Sequence, residues 1–182
     1  MIIYIHGFGS SGFGGKATLF KEQFDGDILL PSLSYVPALA IHTLEQLIEM
    51  LISKGETVNL VGSSLGGFYS IYLANKYDLR AVLINPSIFP YETLDKIGMS
   101  TNYFDLSTFE VTKDHINALK ILEVKKVKNQ ENFMVLLQKG DEVLDYKEAV
   151  EKLANANLYI EAGGTHSFED ISRYFNAIDE FF

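Results

Sequence analysis

The chain has 182 residues, of which 47% are hydrophobic and 13% aromatic. This composition is typical of a folded domain with a substantial core and excludes a disordered chain. The formal net charge of -9 argues against a nucleic-acid partner and against anionic membrane surfaces, because an acidic protein repels phosphate groups.

Hydrophobic runs along the chain are short. None approaches the roughly 18 consecutive apolar residues of a membrane-spanning helix. The apolar residues 2–5 have no basic residues before them and are too few for a signal peptide. The lack of cysteine excludes disulfides and thiolate metal sites. We therefore expect a cytoplasmic protein without membrane insertion.

Six short apolar runs predict β-strands, and helical patterns separate them. The runs are continuously apolar, which predicts a sheet that is covered on both faces. The predicted strands are residues 2–5, 28–30, 58–62, 81–84, 133–137 and 158–160. The predicted helices are residues 17–24, 37–51, 68–76, 91–97, 114–124, 146–153 and 169–181. This alternation predicts a doubly wound α/β fold.

Neither a linker nor an internal repeat divides the sequence, so we expect a single domain over residues 1–182. Residues 87–130 are the irregular part of it, with two predicted helices and frequent aromatic residues. We expect this region to form a small lid or an elaborated connection. In the first predicted helix, we expect Leu19, Phe20 and Phe24 to face the core.

A serine between two glycines is the clearest motif. Gly62-Ser63-Ser64-Leu65-Gly66 fits the pattern Gly-x-Ser-x-Gly, and only Ser64 can be its central residue. The motif follows a predicted strand and precedes a predicted helix, which is the context of a sharp turn that exposes a nucleophilic serine. The same pattern also occurs by chance in glycine-rich turns, so its weight depends on partners elsewhere in the chain.

Candidate partners follow two later strands. Ser64 comes after the third predicted strand, Asp141 after the fifth and His166 after the sixth. Ligands of doubly wound sheets bind beyond these carboxyl ends, and the order serine, acid, histidine is that of α/β-hydrolases. An imidazole accepts a serine proton near neutral pH, and a carboxylate stabilises the charged ring. We therefore expect these residues to form a catalytic triad.

The sequence offers a second candidate for the acid and two candidate donors for the oxyanion hole. Asp145 is a second candidate for the acid, but its place before a predicted helix also suits an N-cap. The N–H of Leu65 lies at the start of the helix after the serine, and the N–H of Phe8 follows the first strand. We expect these two N–H groups to bind the oxyanion.

The loop after the first strand permits a different interpretation. A Gly-x-Gly-x-x-Gly pattern begins at Gly7, and Gly15-Lys16 resembles the end of a phosphate-binding loop. The first pattern lacks its acidic residue at the end of the second strand. Ser10 and Ala17 occupy the positions where a phosphate-binding loop needs glycine and a hydroxyl residue. We therefore expect no nucleotide, no other cofactor and no metal.

Five segments spread over most of the chain carry a family resemblance. They are Tyr4-Ile5-His6-Gly7-Phe8, Gly62-Ser63-Ser64-Leu65-Gly66-Gly67, Asn85-Pro86 with Pro90-Tyr91-Glu92, Gly140-Asp141-Glu142-Val143-Leu144-Asp145-Tyr146, and Gly163-Gly164-Thr165-His166-Ser167-Phe168. These segments resemble those of the YqiA-like esterases, which are small bacterial α/β-hydrolases. Thr165 departs from the family pattern, in which an acidic residue precedes the histidine.

The resemblance implies a three-layer α/β-hydrolase fold with a mostly parallel, six-stranded sheet that lacks the first two strands of larger members. It also implies hydrolysis of carboxylic esters, with acyl thioesters as a further substrate class. It assigns the nucleophile to Ser64, the acid to Asp141 and the base to His166. The alternative is a non-catalytic module that binds a small molecule on a hydrolase scaffold, because a fold alone does not establish chemistry.

Overall fold

The computed structural model describes all 182 residues, in eight strands and seven α-helices. The strands are β1 (Ile2–Ile5), β2 (Ile28–Leu29), β3 (Asn59–Ser63), β4 (Arg80–Ile84), β5 (Met99–Thr101), β6 (Thr108–Glu110), β7 (Phe133–Gln138) and β8 (Asn157–Glu161). The helices are α1 (Gly15–Gln23), α2 (Pro37–Ser53), α3 (Leu65–Tyr77), α4 (Pro90–Thr93), α5 (Lys113–Ile121), α6 (Tyr146–Lys152) and α7 (Phe175–Phe181). None of the helices combines the length and the hydrophobicity that crossing a bilayer requires.

Six strands form one parallel sheet in the order β2-β1-β3-β4-β7-β8. The chain moves from β1 outward to β2 and then returns past β1 to β3. The strand order therefore reverses between β1 and β3, and the crevice beyond their carboxyl ends is where such sheets bind ligands. The predicted α/β fold and its six parallel strands are confirmed.

The sheet is covered on both faces, so the molecule has three layers. On one face, α1 and α7 pack against a cluster of 14 buried residues, in which Phe20 meets Phe175 edge to face at 5.0 Å. On the other face, α2, α3, α5 and α6 cover 29 buried residues. Successive residues of one strand, such as Leu60 and Val61, enter opposite cores, which explains why the central strands have apolar residues on both faces.

Two details of the predicted helices are wrong. Leu19 of α1 is 41% exposed, whereas Phe20 and Phe24 are buried as expected. The final α-helix begins at Phe175 and not near residue 169, and a short 3-10 helix at Ile171–Tyr174 precedes it. Phe168 and Asp170 both have positive φ, at 63° and 54°, and this left-handed backbone prevents an α-helix from starting earlier.

Residues 87–130 contain α4, a short 3-10 helix, the antiparallel hairpin β5–β6 and α5. The hairpin was not predicted, because its three-residue strands carry no apolar run. Its tip lies on the loop after β1, where the Tyr103 N–H donates to the Gly9 carbonyl at 2.7 Å and Phe104 stacks on Phe13 at 5.3 Å. That this region acts as a lid, and that residues 1–182 form one domain, stay predictions.

Candidate active site

Ser64 occupies a strained turn between β3 and α3. Its φ of 54° and ψ of -118° lie far from the conformations that residues with a side chain prefer. Such strain costs about 1–3 kcal/mol and persists only where the surroundings hold it. The turn leaves no room for larger neighbours, since a Cβ on Gly66 would overlap the Ile5 carbonyl and one on Gly62 would overlap the Ser70 side chain.

The three residues of the predicted triad are in contact. The Ser64 hydroxyl lies 3.0 Å from Nε2 of His166, and Nδ1 of the same ring lies 2.8 Å from Oδ2 of Asp141. A neutral imidazole that is protonated on Nδ1 satisfies both contacts, donating to Asp141 and accepting from Ser64. The Ser64 proton is therefore within direct reach of a base whose other nitrogen is held by a carboxylate.

Backbone N–H groups fix the Asp141 carboxylate from the other side. Its Oδ1 accepts from the N–H groups of Val143 and Leu144, each at 2.8 Å, and the side chain is only 3% exposed. Burial by itself raises the pKa of this carboxyl, but the hydrogen bonds from His166 and from the two N–H groups outweigh it and hold the pKa below its ordinary value. Asp141 is therefore ionised at neutral pH.

The second candidate acid has a different position. The Asp145 side chain accepts from the N–H of Lys147 at 3.0 Å and is the N-cap of α6. Its hydrogen bond is therefore the capping interaction that a residue before a helix provides. The carboxylate in contact with the imidazole ring of His166 is that of Asp141.

Three polar residues that the sequence interpretation did not assign hold the histidine loop. Asn85 donates from Nδ2 to the carbonyls of Thr165 and His166, at 3.0 and 3.2 Å. Gln138 accepts through Oε1 from the N–H of Thr165 at 3.1 Å, and Glu142 accepts the N–H of His166 at 2.9 Å. Asn85 and Glu142 follow a strand of the sheet, and Gln138 ends one. The triad residues also follow strand ends, so this position is the sequence feature by which the three residues could have been identified.

The same contacts account for Thr165. It holds the loop through its main chain, whose N–H and carbonyl both have buried amide partners. The Thr165 side chain is therefore not needed to position His166. The departure from the family pattern at this position leaves the His166 contacts in place.

The predicted oxyanion donors line one cavity with Ser64 and His166. The N–H of Phe8 has no acceptor in the protein, and the N–H of Leu65 is in the first turn of α3, where N–H groups lack intrahelical partners. His6 orders the loop that carries Phe8, because its Nε2 accepts from the N–H of Leu33 at 2.9 Å and its Nδ1 lies 2.8 Å from the Gly7 carbonyl. Burial lowers the pKa of His6, so the ring is neutral and can make both contacts.

The cavity has a volume of about 710 Å³ and a lining of two chemical kinds. Apolar side chains in and after α4 and in the loop before α6 contribute to it: Pro90, Leu94, Ile97, Val143 and Leu144. Hydroxyl groups, glycines and Lys16 also line it. The sequence interpretation considered Lys16 only as part of a phosphate-binding loop and did not place it beside Ser64. No group of three or more His, Asp or Glu side chains is arranged to hold a metal ion.

A doubly wound parallel sheet with a serine on the turn after its third strand defines an α/β-hydrolase-fold protein. Solved structures of this class cover nearly the whole chain. A putative hydrolase from Agrobacterium vitis matches with a TM-score of 0.71 at 18% identity, over 99% of this chain and 87% of that one. Est1E from Butyrivibrio proteoclasticus, with bound ferulic acid, gives 0.70 at 12%, over 99% and 86%. A monoacylglycerol lipase from Paleococcus ferrophilus gives 0.70 at 15%, over 99% and 92%.

Sequence comparison identifies the family. The model of the uncharacterised protein family UPF0227 matches residues 1–182, and the chain belongs to this family. Its relatives include the UPF0227 protein YcfP of Salmonella paratyphi A, which is 31% identical over 187 residues, covering 100% of this chain and 98% of that protein. The YcfP protein of Escherichia coli is 29% identical over 189 residues, with the same coverage. These family matches confirm the resemblance to the YqiA-like proteins.

Proposed function

We propose that this protein is a serine hydrolase that cleaves carboxylic esters through an acyl-enzyme intermediate. The observation that carries the proposal is the continuous series of contacts from Ser64 through His166 to Asp141, at 3.0 and 2.8 Å. A serine hydroxyl is a weak nucleophile until a base removes its proton. The strained turn at Ser64 supports the same role, since backbone strain of this kind is concentrated at functional sites.

In the proposed reaction, Ser64 attacks the ester carbonyl while His166 accepts the hydroxyl proton. The imidazolium that forms is stabilised by the ionised Asp141, and it returns its proton to the departing alcohol. Water then attacks the acyl-enzyme, with His166 again as base, and releases the acid and free Ser64. The negative oxygen of each tetrahedral intermediate is bound by the N–H groups of Phe8 and Leu65, and losing one such donor costs about 100- to 1000-fold in rate.

The comparisons support a hydrolase, since structures with the same fold are described as esterases or as a lipase. These likenesses are under 25% identical and bear on the fold, so the ester substrate is argued from the site itself. Acyl thioesters fit the same mechanism, because the thiolate leaves in place of the alkoxide. The cytoplasmic location and the absence of a nucleic-acid partner stay predictions from composition.

Replacing the nucleophile tests the proposal directly. We expect Ser64→Ala to reduce hydrolysis of p-nitrophenyl acetate by about 10⁴-fold or more, because no other residue supplies the attacking oxygen. A fluorophosphonate probe should label the wild-type protein at Ser64 and leave the variant unlabelled. Ser63→Ala is the matched control, since it removes the neighbouring hydroxyl and keeps the nucleophile, so the probe should still label Ser64.

Two outcomes would contradict the proposal. Unchanged turnover in Ser64→Ala would show that another residue performs the chemistry. Failure of folded wild-type protein to react with either the probe or the ester would favour the non-catalytic binding module on a hydrolase scaffold. Circular dichroism and the melting temperature of both variants would verify that each is folded.

A further inference from the structure

Lys16 is the one Lys, Arg, Asp or Glu residue among those that line the catalytic cavity. The remaining polar lining consists of hydroxyl groups, backbone and His166. The proposed reaction gives this ammonium no part, since Ser64, His166 and Asp141 supply the nucleophile, the base and the acid. The proposed reaction therefore does not account for the charged side chain in the cavity.

The protein compensates this charge poorly. The Lys16 Nζ donates to the hydroxyl of Ser63 at 2.8 Å, which is its one hydrogen bond to the protein. No carboxylate lies within ion-pairing distance of it. Removing an ammonium from water without a paired anion is costly, so an anionic ligand that enters the cavity would regain part of that cost.

Lys16 shares its cavity with the reacting groups. Lys16, Ser64 and His166 all line it, and the hydrogen-bond partner of Lys16, Ser63, is the residue directly before the nucleophile. Lys16 lies in the first turn of α1, and the residues Gly14 to Ala17 of that turn line the same cavity. The N-terminus of a helix favours negative charge, so the N-terminus of α1 adds to the positive potential of the Lys16 ammonium.

The overall charge of the protein makes this local cation significant. With a formal net charge of -9, the surface does not attract anions in general. Any preference for an anionic substrate must therefore arise inside the cavity. The apolar side chains that line the same cavity, among them Leu94 and Val143, can contact the uncharged half of such a molecule.

We propose that the enzyme prefers esters that carry a carboxylate or phosphate on a short spacer from the scissile carbonyl, and that Lys16 binds this anionic group. The inference rests on the proposed esterase function and deepens it by naming the substrate class. Lys16 acts in binding and in specificity, and it takes no part in bond making or breaking.

Matched ester pairs test the preference. On the acyl side, monoethyl succinate carries a carboxylate where ethyl succinamate carries a neutral amide of the same shape. On the alcohol side, O-acetylglycolate and O-acetylglycolamide differ in the same way. Release of ethanol or acetate gives kcat/KM for each ester, and the ratio of anionic to neutral ester is the measured quantity. We expect a ratio of about 10 or more in at least one pair, because a hydrogen bond between two charged groups is stronger than one to a neutral amide.

Variants then assign that ratio to one side chain. Lys16→Met keeps the length of the side chain and removes its charge, so the ratio should fall to about 1. Lys16→Arg keeps the charge and should restore most of the preference. A purely structural role for the Ser63 contact would instead change kcat/KM of both esters of a pair alike and leave the ratio as it is in the wild type. Lys21→Met is the control, because Lys21 is an exposed lysine on the same helix and should leave the ratio unchanged.

The possible results separate this inference from the proposed function. If esters are hydrolysed with ratios near or below 1 in both pairs, or if Lys16→Met leaves a high ratio intact, the inference is overturned and the esterase stands. If no ester is hydrolysed and Ser64 does not react with a fluorophosphonate, the function fails and the inference fails with it. A ratio that falls in Lys16→Met and returns in Lys16→Arg supports both.

Discussion

Asp141 contacts His166 through one carboxylate oxygen and two backbone N–H groups through the other. The two backbone N–H groups fix the plane of the carboxylate, so its other oxygen is directed at Nδ1 of the His166 ring. The imidazole is then held with Nε2 towards Ser64. This arrangement makes the identity of the acid a question that mutation can answer.

We expect Asp141→Asn to lower kcat for p-nitrophenyl acetate by about 10⁴-fold, because an amide cannot stabilise the imidazolium or enforce its tautomer. Asp145→Asn is the matched control, and it should change kcat less than about twofold, since asparagine caps a helix as well as aspartate does. Steady-state kinetics of the two variants measure the difference. A large loss in Asp145→Asn with a small one in Asp141→Asn would reverse the assignment.

Asn85 offers a test of positioning. Asn85→Asp keeps the oxygen that accepts the Gln138 N–H and tolerates the left-handed backbone at φ 39°, but it places negative charge against the carbonyls of Thr165 and His166. We expect kcat to fall about 10- to 100-fold with little change in KM, because a small displacement of the base costs rate and not substrate binding.

The control for this variant is Asn117→Asp, which makes the same change of charge on the exposed side of α5. It should leave both kinetic constants unchanged. The rate of fluorophosphonate labelling at Ser64 is a second readout, and it should fall in parallel with kcat in Asn85→Asp. Equal labelling rates in the two variants would show that Asn85 does not position His166.

Gly66 should be essential for the turn that carries Ser64. A Cβ at this position overlaps the carbonyl of Ile5, so Gly66→Ala must push α3 away from β1. Forced overpacking of a well-packed site costs about 1–3 kcal/mol, and each kcal/mol lowers the melting temperature by about 2–4 °C in a protein of this size. Differential scanning calorimetry measures the shift.

Gly15→Ala is the matched control for the effect of Gly66→Ala on the stability of the protein. It is the first residue of α1, its φ is not positive, and no atom lies within 4 Å of an added Cβ. Gly15→Ala should therefore raise the free energy of unfolding by about 0.4–1 kcal/mol, since it restricts the unfolded chain. If Gly66→Ala proved as stable as Gly15→Ala, the close approach of α3 to β1 would not be a constraint.

The preference for anionic esters should depend on pH through Lys16. Burial lowers the pKa of its ammonium to about 8, although the nearby charge of Asp141 raises it in part. The ammonium is present below this pH and is lost as the pH rises through about 8, while the substrate carboxylate stays ionised. The kcat/KM ratio of anionic to neutral ester should therefore be highest near pH 6–7 and should fall between about pH 7 and 9.

The other titratable groups that face Lys16 are His166, Asp141 and the Tyr4 phenol. The Asp141 pKa lies below its ordinary value and burial keeps the Tyr4 pKa above its own, while a pH effect on the catalytic step acts on both esters of a pair and cancels in the ratio. In Lys16→Arg the guanidinium stays charged and the ratio should remain flat over the same range. A ratio that falls equally in wild type and Lys16→Arg would assign the pH dependence to another group.

Local patterns in the sequence predicted much of this protein. Continuous apolar runs identified all six strands of the main sheet. In the central strands β1, β3, β4 and β7 the cause is burial on both faces, whereas the edge strands β2 and β8 are more exposed. The Gly-x-Ser-x-Gly motif located Ser64, since the turn needs small residues at fixed offsets from the serine. Ser64, Asp141 and His166 follow the third, fifth and sixth predicted strands, and this position predicts that they lie at one edge of a parallel sheet.

Only the tertiary structure decided which side chains touch. His166 and Ser64 are 102 positions apart, and their contact depends on an irregular loop held by Asn85 and Gln138, which no periodic pattern encodes. The choice between Asp141 and Asp145 required the direction of each carboxylate, and the place of Lys16 in the cavity required the packing of α1 on the sheet. Sequence periodicity records which side of an element is buried, whereas a site is made by loops whose conformations are set by contacts between distant residues.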